Sequence, residues 1–132
     1  MNVFAATAED LQQHWTDFSP HLARYEISRR TTSLEQFRKA LLIEQQQLWG
    51  LQDERGVHLV CVTEILDTPA GSVCHIQAAA GHASREELRQ LFERIRAWAK
   101  ELGCVLVRIV GRKGWMRILP LRETGRVMEC AL

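Results

Sequence analysis

The stretch from Val73 to Val110 constrains the fold more than any other part of the chain. It holds a short apolar strand, a turn of small residues, a long capped helix and a second apolar strand in one uninterrupted run. Ser84 followed by Glu87 is a capping box, in which each side chain satisfies an orphan amide at the helix start. Leu88, Leu91, Phe92, Ile95, Ala99 and Leu102 then recur at helical spacing, and Gly103 supplies the left-handed stop. Cys104–Val110 is almost entirely apolar, with Arg108 inside it, which predicts a strand covered on both faces.

The flanking elements complete an α+β pattern. Met1–Ala6 reads as a short strand, and Thr7 as the N-cap of a helix carrying Asp10, Leu11, His14, Trp15 and Phe18. Pro20 is expected either to break that helix or to open a second one running toward Tyr25 and Ile27. Ser33 begins a further helix with Leu34, Phe37, Leu41 and Leu42 on one face. The period then changes: Gln47–Gln52, Val57–Leu66 and Ser72–Ala79 read as three strands of a meander, the first two joined by Asp53–Gly56. Trp115–Leu119 reads as a short helix ended by Pro120, and Arg126–Leu132 as a last strand. This order predicts one domain, residues 1–132, with a mixed, mostly antiparallel sheet flanked by helices.

Composition removes several function classes. The chain has 132 residues, 46% apolar and 25% charged, within the range of ordinary globular domains. No segment is apolar enough to span a bilayer, and Met1–Ala8 lacks a basic segment before an apolar stretch, so neither a membrane partner nor a secretory leader is expected. Cys61, Cys74, Cys104 and Cys130 lie in apolar runs without metal-ligand spacing, and His14, His21 and His58 are scattered; buried thiols and no metal site are expected. Trp15, Trp49 and Trp98 read as packing residues. Net charge is +1, but residues 1–84 carry −4 and residues 85–132 carry +5. So small a net charge argues against a nucleic-acid partner, while the asymmetry suits an acidic partner, head-to-tail self-association or internal charge matching between the two halves of one domain. Arg108, Arg112, Lys113 and Arg117 gather around Trp115 with no acid among them, the composition of a protein-interface anchor.

The element order, with the long helix after the third meander strand, resembles the GNAT acyltransferase fold over nearly the whole chain. In that family the strand before the helix splays from its neighbour. Its end and the following loop, of pattern Q/R-x-x-G-x-G/A, bind acyl-coenzyme A. The residues here are Gln77, Ala78, Ala79, Ala80, Gly81, His82 and Ala83, followed by Ser84, and Gln77 and Gly81 are one residue further apart than the pattern requires. The resemblance implies backbone amides of Gly81, His82 and Ala83 against a diphosphate, Glu64 or His75 as the group that deprotonates an amine, and a proton donor near Trp115. The family often has a tyrosine in that last role, and the only tyrosine here is Tyr25.

The run from Arg108 to Arg117 and the ending Glu129–Leu132 are similar to small GNAT-like proteins encoded by tailed bacteriophages. That resemblance implies a virion protein, present in the host cytoplasm during assembly, whose partners are other virion proteins or copies of itself. The sequence therefore favours a structural component with a degenerate coenzyme site at Gln77, Gly81, His82, Ala83 and Ser84, and no cofactor. The alternative is an acetyltransferase using acetyl-coenzyme A on an amine of a host or phage molecule.

Overall fold

The computed structural model describes residues 2–29, 33–110, 122–124 and 127–132. Its elements are β1 (Asn2–Ala5), α1 (Ala8–Gln13), α2 (Trp15–Arg29), α3 (Leu34–Leu42), β2 (Gln46–Asp53), β3 (Gly56–Thr68), β4 (Gly71–Gly81), α4 (Arg85–Glu101), β5 (Leu106–Val110), β6 (Arg122–Thr124) and β7 (Val127–Ala131). The seven strands form a single sheet in the order β1-β2-β3-β4-β5-β7-β6. Only β4 and β5 run parallel, because the α4 crossover carries the chain back to the same end before β5 begins. The other pairs are antiparallel. The mixed, mostly antiparallel sheet expected from the sequence is therefore present.

Each face of the sheet has its own core. On one, α4 lays Leu91, Phe92, Ile95 and Ala99 against Trp49, Leu51, Cys61, Cys74, Val107 and Ile109. Burying each of the larger of these side chains contributes about 1.5–3 kcal/mol. Trp49 meets the half-buried Trp98 edge-on at 5.2 Å between ring centroids, and its indole Nε1 donates to Thr63 Oγ1 at 3.0 Å. On the other face, Leu11, Phe18, Leu22, Phe37 and Leu41 of the three N-terminal helices cover Leu48, Val60, Val62 and Ala78. Trp15 packs at the edge of this second core, with the Arg38 guanidinium 5.7 Å above its ring.

Three boundaries differ from the sequence reading. The first helix stops at Gln13 with His14 as its C-cap, and α2 restarts at Trp15. Pro20 lies inside α2, where it removes one backbone hydrogen bond without ending the helix. The third meander strand continues to Gly81, and the strand after α4 begins at Leu106, since Cys104 still bonds back to Ala99 through its amide. β6, a three-residue edge strand on β7, was not anticipated. The expected helix Trp115–Leu119 lies outside the described residues.

Candidate active site

β4 is paired on both sides for only part of its length. Parallel pairing with β5 runs from Val73 opposite Leu106 to Ile76 opposite Ile109. Among the described residues, β4 then continues to Gly81 along β3 alone. The change coincides with a β-bulge: Thr63 faces Ile76 and Val62 faces Ala78, so Gln77 is the extra residue. A bulge bends and overtwists its strand, and here it marks the fork at which the described pairing of β4 with β5 ends. Gln77 thus sits where the strands part rather than in the turn, which explains its distance from Gly81.

A polar row crosses the sheet just before this fork. His75 is the register partner of Glu64 on β3 and of Arg108 on β5. Glu64 in turn faces Gln46 on β2. Directly opposed residues share a face of the sheet, so both sequence-derived candidates, Glu64 and His75, are brought together with Arg108 between them and β7. His75 is half-buried, and its Nδ1 is shielded from solvent without a hydrogen-bond partner among the described residues. Burial holds its pKa below the ordinary histidine value, the Arg108 charge adds to this, and Glu64 opposes both. The imidazole is consequently neutral at pH 7 and able to accept a proton. Arg108 is half-buried in this row. The other expected interface residues, Arg112, Lys113, Trp115 and Arg117, and the expected donor near Trp115 lie outside the described residues.

The turn after β4 is pinned to β3 and capped by its own carboxylate. Gly81 has φ +126°, and a Cβ there would lie 2.3 Å from the His58 carbonyl oxygen. The His82 amide donates to that same oxygen at 2.9 Å, while the His82 ring is exposed. At the start of α4, Ser84 Oγ accepts from the Glu87 amide, and the Ser84 amide donates to Glu87 Oε1, both at 3.1 Å. The other Glu87 oxygen accepts from His58 Nε2 at 2.7 Å, and His58 Nδ1 is 3.8 Å from Asp53. The Ser84 amide and His58 hold the Glu87 carboxyl below the usual glutamate range. Of the amides expected to meet a diphosphate, that of His82 is thus taken by β3; the Ser84 amide beside them is taken by Glu87. The amides of Arg85 and Glu86 have no intrahelical acceptor, by their position in the first turn. Glu87, a cap residue in the sequence, is thus also the group that occupies the Ser84 amide and His58.

Replacing Glu87 with alanine is expected to lower the melting temperature, because the capping box and the bond to His58 are both lost. The stabilisation from Glu87 is complete above the ordinary glutamate pKa and disappears as pH falls through its depressed folded value. Thermal melts at pH 7 and pH 3 on both proteins check this, since the difference between them should be smaller at the lower pH.

The four cysteines are buried and unpaired, as expected. Burial is the main cause raising Cys61, Cys74 and Cys104, with Cys74 pushed up to about 12. These thiols should react with a disulfide reagent at pH 8 only at the rate of unfolding, and a fast-reacting equivalent in the native protein would contradict this burial. Among the described residues no group of three His, Cys, Asp or Glu side chains is placed to hold a metal, and no helix is long and apolar enough to cross a membrane.

No protein-family model matches the sequence, and no curated protein matches it. Among solved structures the fold is that of the GNAT acetyltransferases. A probable acetyltransferase from Staphylococcus epidermidis superposes with a TM-score of 0.74 at 11% identity, over 98% of each chain. A tetramutant of the BH1408 protein from Bacillus halodurans gives 0.72 at 17% identity over all of both chains. A predicted acetyltransferase from Clostridium acetobutylicum, solved with acetyl-CoA, gives 0.67 at 13% identity, over 93% of this chain and 90% of the other. At these identities the likeness is one of fold. Nothing in the fold or in these neighbours shows a phage origin or a virion role.

Proposed function

We propose that the protein is an acyl-coenzyme A-dependent N-acyltransferase, with His75 as its general base. The observation that carries this reading is the fork between β4 and β5, opening at the Gln77 bulge directly beyond the His75 row. Where a strand runs on past its neighbour's last pair, its edge is the kind of backbone to which an extended acyl-pantetheine chain would bond. The acetyl-CoA complex of the Clostridium protein, which shares the fold, supports the choice of ligand. The sequence alone favours the virion role, whereas the fork and the buried neutral imidazole favour the enzyme.

The chemistry requires one base. His75 removes a proton from the acceptor amine as the amine nitrogen bonds to the thioester carbonyl carbon. The carbon–sulfur bond then breaks, and the departing thiolate regains a proton through solvent. Arg108 keeps the imidazole neutral beforehand, and Glu64 stabilises it once protonated. At the diphosphate end, the amides of Arg85 and Glu86 remain open, and the Arg85 and Arg89 side chains lie on the first turns of α4.

Calorimetric titration with acetyl-coenzyme A tests the reading. Micromolar binding is expected, together with release of free coenzyme when primary amines are added. Absence of binding at millimolar coenzyme would exclude the enzyme and return the fold to a scaffold role.

A further inference from the structure

A second concavity lies on the helical face of the sheet, between the start of α1, the end of α3 and the start of β2. Its volume is about 440 Å³. Leu11, Leu41 and Leu48 make its apolar wall, and Glu44, Gln46 and Gln47 its polar one. Glu44 is the only charged side chain among its lining residues.

Glu44 is costly where it stands. Its φ of 61° makes it the only non-glycine residue with positive φ among those described. It occupies the position just past α3, after the C-cap Ile43, where glycine is the usual residue. Its charge also faces the negative end of the helix dipole, the wrong sign for stability. A residue that breaks two local rules at once, on the wall of a cavity, points to function rather than folding.

The neighbouring groups are acceptors too. The Gln46 amide oxygen is buried and has no hydrogen-bond partner among the described residues. Gln47 is held in place by Thr63 Oγ1, which donates to its oxygen at 3.0 Å. A carboxylate beside an amide oxygen that has no partner among the described residues suits a cation that donates several hydrogen bonds.

Gln46, on the cavity wall, also begins the row that holds Glu64 and His75. Gln46 is the register partner of Glu64, and Glu64 of His75. Two strand spacings separate Gln46 from His75, roughly 10 Å. That is about the span of an aliphatic diamine or of a lysine side chain with its α-ammonium group.

We propose that this cavity is the acceptor pocket and that it takes a linear diamine-like cation. One ammonium sits against Glu44 and Gln46 while the other, as the free amine, reaches His75. This rests on the acyltransferase reading for its role, but the cavity's affinity for a cation does not depend on the coenzyme.

The test uses the full chain and 1,5-diaminopentane, without coenzyme, with 1,5-pentanediol as the neutral control. The wild-type protein should bind the diamine at least tenfold more tightly than the diol. In Glu44→Gly the diamine Kd should rise at least tenfold while the melting temperature rises by a few degrees, because glycine relieves the left-handed backbone and the unfavourable charge. Loss of binding in a more stable protein excludes misfolding as its cause. Gln46→Leu should weaken the diamine alone and leave acetyl-coenzyme A affinity unchanged. A diamine Kd unaltered in Glu44→Gly, or equal to that of the diol in the wild type, overturns the proposal even if acetyl-coenzyme A binds normally. Diamine binding that behaves as expected in a protein that does not bind the coenzyme keeps the cation pocket and discards the acyltransferase.

Discussion

Replacing His75 with alanine is expected to slow acyl transfer by roughly 10²- to 10⁴-fold, the usual contribution of a positioned general base. The imidazole is half-buried at the fork, opposite Glu64 and Arg108, so coenzyme affinity should be nearly unchanged and the loss confined to kcat. The pH profile carries the sharper test. Because burial and Arg108 depress the His75 pKa, the rate in the wild type should remain high below pH 6.5 and fall only as the depressed pKa is crossed. Arg108→Gln removes a positive neighbour and should move that acidic limb upward. Glu64→Gln removes the opposing negative charge and should move it downward. Opposite displacements in the two variants identify His75 as the titrating group. Limbs that coincide in all three proteins, or turnover that survives His75→Ala, would assign proton removal elsewhere. Stability follows the same sign: the native state resists protonation of His75, so it loses stability as pH falls from the ordinary histidine value toward the depressed one.

What the sequence revealed was local. The Ser84–Glu87 box, the apolar stripe of α4 and its glycine stop are all settled within a few residues, and the helix is observed as expected. The three-strand meander follows from alternation and turn chemistry, and its strands appear within a few residues of their expected limits. The site was less legible because it depends on register. Glu64 and His75 lie eleven positions apart, and Arg108 another 33 beyond, and nothing in the linear chain states that they share one row. Arg108 stands in sequence beside Arg112 and Lys113, and only the register of β5 shows that it also lies opposite His75. The bulge at Gln77 is similarly invisible, since a run of three alanines fixes neither where the strand ends nor where its register shifts. The same holds for Glu44, whose backbone conformation is imposed by the turn from α3 into β2 and not by its own preference. Glu87 shows a different limit: the capping box was readable, but its link to His58 across 29 positions was not.

Gly81→Ala is expected to produce the largest loss of stability of any single methyl addition to the described strands, about 2–4 kcal/mol. Two separate effects combine there. The φ of +126° is unfavourable for any residue with a Cβ, and the new methyl would meet the His58 carbonyl oxygen at 2.3 Å and Leu59 Cα at 2.7 Å. Neither contact is with a flexible side chain, so β3 and β4 must separate, which also lengthens the bond from the His82 amide to His58. Gly56 provides an internal control, because its φ is +116° but nothing lies within 4 Å of the position a Cβ would take. Gly56→Ala therefore isolates the backbone term and should cost only about 1–2 kcal/mol. Urea denaturation of the two variants measures the difference, and the excess in Gly81→Ala is the energy with which β3 holds the turn. If the two variants lose equal stability, the backbone of β3 does not grip the turn, and the position of the α4 N-terminus relative to the fork must be fixed by the Glu87–His58 contact alone.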